Sequence, residues 1–273
     1  MQTAFYLVLL AVIGLLALQV AAAKRCRGRV LQLAARLRDT PPTRDIDIAL
    51  PPLVADFARR AGADPGRPMR AASFNQTAEL RLKPGGRFHR IEAWQVVSLG
   101  RAGFVWDARQ PLGPLTRLRV LDAFVGGEGL LEARLLGTIP VARASGAEID
   151  LGEAYRYLAE LPWMPDAILG NPDLTWRVTG PDTAEVRMTT RDGIARVTFG
   201  FDAQGDIVAM EARDRPARDP DGTTRRYDWR GRFSDYREIG GRRLPGFGEV
   251  GYVYPSGYEA YFRGRISDYR LAP

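Results

Sequence analysis

The sequence predicts an α+β chain that is mainly antiparallel β: a strongly curved sheet or incomplete barrel with short helices, preceded by one N-terminal transmembrane helix. Three observations carry this. From Phe5 to Ala23 an apolar run is interrupted only by Gln19. From Ser73 onward, apolar and polar residues alternate with period two between Gly and Pro turns. Near the C-terminus an eight-residue pattern recurs with a glycine inside it, and about a dozen strands make a sheet too large to stay flat. The expected divisions are 1–23, the anchor; 24–49, a basic amphipathic juxtamembrane segment and linker; and 50–273, a β-rich domain.

At about 1.5 Å per residue the Phe5 to Ala23 run nearly matches a hydrocarbon core of about 30 Å. A cleaved signal peptide is the alternative. It is disfavoured because Met1, Gln2 and Thr3 supply no basic n-region, although Ala21-Ala22-Ala23 imitates a cleavage site. Basic residues follow the run and none precedes it, so the positive-inside rule predicts a single-pass inner-membrane protein with a cytoplasmic β domain. A periplasmic domain is the other orientation.

The net charge is +7, and residues 1–44 hold seven basic side chains against one acid, Asp39, accounting for +6 of it. The remaining near-neutral domain lacks the broad basic field that phosphate neutralisation needs, which argues against nucleic acid as a partner. Lys24, Arg25, Arg27 and Arg29 are the candidate membrane-surface residues. Arg27 to Arg38 reads as an amphipathic helix with Val30, Leu33, Ala34 and Leu37 on one face, resting on anionic headgroups or standing as a solvated stalk. Thr40-Pro41-Pro42 ends it. The single cysteine, Cys26, excludes an internal disulfide.

A short helix starting at Pro51-Pro52 follows, with Leu53, Val54 and Phe57 on one face and Gly62 at its end. Strands read at Phe74 to Leu82 and Phe88 to Ser98, joined by Lys83-Pro84-Gly85-Gly86. Others read at Phe104 to Ala108, Leu118 to Phe124 and Leu130 to Leu136, the last two separated by Gly126-Gly127. Helical spacing returns at Asp150 to Leu161, where Asp150 is a candidate cap, and a second short helix follows around Asp166 to Leu169. A meander of Leu174 to Val178, Ala184 to Thr189, Ile194 to Phe201 and Ile207 to Arg213 comes next. The repeat then pairs Arg230-Gly231-Arg232-Phe233-Ser234-Asp235-Tyr236-Arg237 with Arg263-Gly264-Arg265-Ile266-Ser267-Asp268-Tyr269-Arg270. Trp229, Gly231 and Phe233 match Phe262, Gly264 and Ile266 on one face, with the arginines on the other. Glycine inside a strand marks a bend or a close backbone approach.

Catalytic wiring is sparse, and no enzyme activity is expected. His89 is the only histidine, with no second ligand at a metal-site spacing and no Gly-x-Ser-x-Gly elbow for a Ser-His-Asp device, and no P-loop or dinucleotide glycine fingerprint appears. Asp107, beside Trp106 in an apolar strand, is the most pointed carboxylate, either an ion pair or an acid. The aromatic residues Trp94, Phe104, Trp106, Trp163, Trp229, Phe233, Tyr252 and Phe262 are candidates to line an apolar cavity, or simply to fill the core.

Gly103 to Ala108, the run YRYLAELPWMPDAIL from Tyr155 to Leu169, and GRFSDYREIGGRRLP from Gly231 to Pro245 resemble an uncharacterised bacterial family, a domain of unknown function with an N-terminal membrane helix, over about residues 50 to 271. The DYRxxxGxxxP hairpin is also similar to the last strands of LolA/LolB-type lipoprotein carriers. That resemblance implies an incomplete barrel holding acyl chains under a helical lid, although such carriers are secreted or lipid-tethered. The expected function is a membrane-tethered module that binds a lipid or other apolar ligand. Its alternatives are an assembly partner of membrane proteins and a hydrolase acting on a membrane substrate.

Overall fold

The computed structural model describes residues 2–40, 50–113, 115–219 and 222–273. The stop at Pro41-Pro42 and the linker up to residue 49 lie outside the described residues. Among these residues, one curved, open antiparallel sheet of thirteen strands carries four α-helices. The elements are α1 (Gln2–Arg38), α2 (Pro52–Arg60), β1 (Ala71–Arg81), β2 (Phe88–Ser98), β3 (Phe104–Leu112), β4 (Leu115–Val125), β5 (Glu128–Leu135) and β6 (Ile139–Ser145). Then come α3 (Ala147–Ala159), α4 (Pro165–Gly170), β7 (Thr175–Gly180), β8 (Thr183–Thr190), β9 (Gly193–Phe201), β10 (Ile207–Arg218), β11 (Thr224–Ile239), β12 (Arg242–Tyr254) and β13 (Gly257–Ala272).

The sheet is two meanders joined in the middle. Its order is β6-β5-β4-β3-β2-β1-β13-β12-β11-β10-β9-β8-β7, with β1 paired antiparallel to β13. The two edges, β6 and β7, are therefore consecutive in the chain. The segment between them holds α3 and α4, and it must cross the concave side to get from one edge to the other. Contacts of α3 with β5 on one side and with β8, β9 and β10 on the other show that crossing. Leu151, Ala154, Tyr155 and Leu158 of α3 pack into the main core beside Val186, Val197, Phe199 and Met210.

The repeated pattern works through its aspartates as well as its glycines. Asp235 and Asp268 occupy equivalent positions and both have left-handed backbone, φ 61° and 53°. At Asp268 the pairing with β1 shifts register, a β-bulge, whereas at Asp235 the pairing with β12 keeps its register and only Asp235 drops out of the ladder. In both copies the left-handed residue shifts the side-chain alternation of its own strand by one. Phe233 and Tyr236 consequently both turn inward, as do Ile266 and Tyr269. The two tyrosine hydroxyls donate to Ile207 O at 2.7 Å and Trp163 O at 3.0 Å. The alternating arginines Arg230, Arg232 and Arg265 are exposed.

Four expectations need correction. Strands β6 and β12 carry no clear strand signal: Pro140 sits in an edge strand, where proline is tolerated, and three glycines with Pro245 mask β12. Helix α3 begins at Ala147 after Gly146, so Asp150 is not its cap. The Asp150 carboxylate instead accepts from Gly129 N at 2.6 Å and Arg191 at 2.5 Å. The amphipathic face of residues 27–38 is covered by the sheet rather than by headgroups or solvent. Val30, Ala34 and Leu37 are buried against Val96, Val105, Leu121 and Ala123 on its convex side. Trp94 belongs to that same convex patch, with the Arg38 guanidinium 5.7 Å from its ring, so it does not face the concave interior.

Helix α1 is continuous across the expected boundary at residue 23. Among the described residues no helix is long and apolar enough to cross a membrane; several side chains of the Phe5 to Ala23 stretch lie outside that description.

Candidate functional site

The concave face and α3 enclose a cavity of about 940 Å³. Its wall is mostly hydrocarbon and aromatic: Leu80, Val120, Leu131 and Val141 on the β1 to β6 side, and Met210, Val250 and Phe262 on the other. It exists because inward positions on β4 to β6 are small or aliphatic, including Ala133, Ala142 and Ala144, while the bulky rings come from β3 and β11 to β13.

Of the predicted lining residues, Trp106, Trp163, Trp229, Phe233, Tyr252 and Phe262 border the cavity. Two do not. Trp94 faces the convex side, and Phe104 is fully buried beneath Arg156, whose guanidinium lies 4.5 Å from its ring. Trp163 is wedged among the lining rings. Its indole donates to Pro245 O at 2.9 Å and meets Phe233 edge-on at 5.8 Å. Gly248 lies opposite, where a Cβ would come within 2.7 Å of Trp163 Cζ2.

A polar cluster interrupts this apolar wall. Arg156 lies between the faces of Phe104 and Trp106 (4.9 Å to the latter), pairs with Asp122, and donates through Nε to Glu160 Oε1 at 2.8 Å. The amide of Gln95 donates to the other Glu160 oxygen. Arg215 lies 4.3 Å from the Trp229 ring, donates to the Tyr252 hydroxyl, and reaches Gly152 O at 3.0 Å. Tyr252 stacks on Tyr261 at 5.2 Å, and the Tyr261 hydroxyl accepts from Trp229 at 3.2 Å.

Beneath these groups Glu153 is buried, and burial together with the neighbouring Asp122 carboxylate pushes its carboxyl well above the ordinary range. Among the described residues, the buried oxygens Asp122 Oδ1, Glu153 Oε2 and Gln95 Oε1 and the nitrogen Arg215 Nε have no hydrogen-bond partner. A protonated Glu153 can supply the donor that the open Asp122 oxygen lacks. Two arginines held over aromatic faces against carboxylates leave the cluster close to charge-neutral, which keeps it compatible with an apolar chamber.

Arg156 and Arg215 were not foreseen. In a chain with 39 basic residues, an arginine flanked by Tyr155 and Tyr157 gives no sign of pointing inward. The remaining sequence candidates take structural places. Asp107 forms a buried two-point ion pair with Arg119 at 2.6 and 2.9 Å. His89 sits half-buried on β2, 3.3 Å from Gln110. No group of His, Cys, Asp and Glu arranged for a metal occurs among the described residues. Lys24, Arg25 and Arg27 are exposed, whereas Arg29 pairs with the buried Glu132 at 2.5 Å.

The sequence model of a family of unknown function, DUF6544, matches residues 41–264. No curated protein matches the chain. Similar solved structures include a LolA superfamily protein from Nitrosomonas europaea, with TM-score 0.45 and 11% identity, covering 81% of this chain and 92% of that one. A DUF1329 family protein from Desulfovibrio piger has TM-score 0.46 and 10% identity, covering 80% and 91%. A domain described as an outer membrane lipoprotein-sorting protein, from Vibrio parahaemolyticus, has TM-score 0.46 and 12% identity, covering 80% and 90%.

Proposed function

This chain belongs to the DUF6544 family of unknown function, and we propose that it is a membrane-tethered binding module that holds a lipid or other apolar ligand between its curved sheet and α3. One observation carries the reading: a chamber of about 940 Å³ walled by aliphatic and aromatic side chains. Small-molecule sites occupy about 300–1,000 Å³ and are mainly apolar with few polar groups, and this chamber has that composition. An apolar space of this size left unfilled forfeits dispersion contacts along its whole wall, so an occupant adds stability as well as affinity.

The Arg156 and Arg215 cluster gives the ligand a polar end to approach, while the walls take its hydrocarbon. Helix α1 supports the tether, with Leu7, Leu10, Ile13, Leu18 and Val20 exposed along its N-terminal half. The basic flank favours an inner-membrane protein with its β domain on the cytoplasmic side. Native mass spectrometry of the full chain released from its membranes tests the binding reading. It predicts retained lipid, lost when Val120 and Ala144 are both replaced by Trp. A chain that carries no lipid and gains none from added phospholipid overturns it.

A further inference from the structure

We infer that the tips of the β1–β2, β3–β4 and β5–β6 hairpins form a membrane-contact rim, so that the cavity opens onto the bilayer in which α1 is rooted. The inference rests on the tether proposed above and adds to it an orientation and a route for the ligand.

The antiparallel order places these three turns at one end of six adjacent strands. Large apolar side chains are exposed there: Leu82, Leu112, Leu115, Leu135, Leu136 and Ile139. At the other end of the same strands, the turns 99–103 and 126–127 expose none among the described residues, and Leu99 is buried. Isolated exposed apolar residues mean little, but a set confined to one end marks a contact surface.

The charge of the tips fits the same partner. Residues 82–88 (LKPGGRF), 112–118 (LGPLTRL) and 135–141 (LLGTIPV) contain Lys83, Arg87 and Arg117 and no acidic residue. Leucines that enter the interface beside cations that remain at the headgroups suit an anionic lipid surface.

Helix α1 supplies the direction. Leu37 approaches Gly103 at the far end of β3. Arg29 meets Glu132 in the middle of β5, and Gln19 meets Thr138 in the β5–β6 turn. The helix thus climbs the convex face and leaves the domain beside that tip. Its residues before Gln19 then extend about 26 Å beyond the rim at 1.5 Å per residue, close to the hydrocarbon thickness of about 30 Å.

The cavity reaches the same rim. Its lining includes Leu82, Lys83 and Pro84 on the first tip, and Leu118 and Val141 just inside the other two. A lipid tail leaving the bilayer at this rim enters the chamber without crossing water.

Depth-dependent quenching tests the rim. In the full chain with Cys26→Ser, a fluorescent label is placed at Leu112→Cys or Leu136→Cys on the rim, or at Arg101→Cys at the opposite end. The protein is reconstituted in phosphatidylcholine vesicles containing phosphatidylglycerol, with nitroxide on the acyl chains. Several-fold stronger quenching at residues 112 and 136 than at 101 is expected. A chain that floats with the vesicles but shows equal quenching at all three overturns the rim and leaves the tether standing. A chain that does not float overturns both.

Discussion

Replacing Gly248 by alanine tests whether the chamber has the packing described. The added Cβ would lie 2.7 Å from Trp163 Cζ2 and 3.0 Å from Cη2, distances at which something must shift. The indole has little room to move, because its nitrogen is tied to Pro245 O at 2.9 Å and its ring meets Phe233 and Phe74 at 5.8 and 6.0 Å. Overpacking of this kind costs about 1–3 kcal/mol. Trp163→Phe alone removes the indole donor and costs about 1–3 kcal/mol through the unpaired Pro245 carbonyl. The shorter ring does not reach the positions of Cζ2 and Cη2, so on that background Gly248→Ala is nearly free. Urea unfolding of the wild type, the two single variants and the double variant gives the coupling directly. An equal penalty for Gly248→Ala on both backgrounds would refute the proposed contact.

Three further predictions follow from the buried polar groups and the bulge at Asp268. The folded-state pKa of Glu153 is raised above its unfolded value of 4.5, so its contribution is fully present below that pH and fades as pH rises toward the folded pKa. Within that window wild-type stability falls by up to about 1.4 kcal/mol per pH unit relative to Glu153→Gln, and matching thermal-midpoint profiles for the two would contradict the assignment. Asp107→Asn leaves Arg119 buried without a counter-charge and lowers unfolding stability by about 3–5 kcal/mol, whereas a change below 1 kcal/mol would place the pair in water. At Asp268, Val is expected to be about 1–2 kcal/mol less stable than Gly in the same unfolding assay, because both lose the Asn75 bond but only Val is strained at φ 53°. Equal stabilities would remove the left-handed bulge from the account.

The sheet could be read from the sequence because its turns are written in glycine and proline between alternating residues, and the repeat located its two long C-terminal strands. The left-handed break at Asp235 and Asp268 was harder to see. The alternation continues through each pattern, and only the backbone reveals the parity switch that sends Tyr236 and Tyr269 inward. Aromatic identity was enough to place six rings on the cavity, five at inward strand positions, where large rings must meet something, and Trp163 in the helical turn at 161–163. It failed for Trp94, since both faces of β2 are covered, one by the core and the other by α1. The buried arginines were invisible for a different reason. Their position depends on α3 crossing from one sheet edge to the other, a tertiary relation that no local spacing records.

The most direct test of the binding reading is the dependence of affinity on ligand chain length. In a displacement titration on the full chain, an apolar fluorescent probe would be competed by saturated fatty acids of increasing length. Each methylene buried in the chamber contributes about 0.8 kcal/mol, so affinity should rise about four-fold per carbon until the cavity is filled. Failure of every acid to displace the probe, or displacement that does not change with chain length, would contradict an apolar binding chamber.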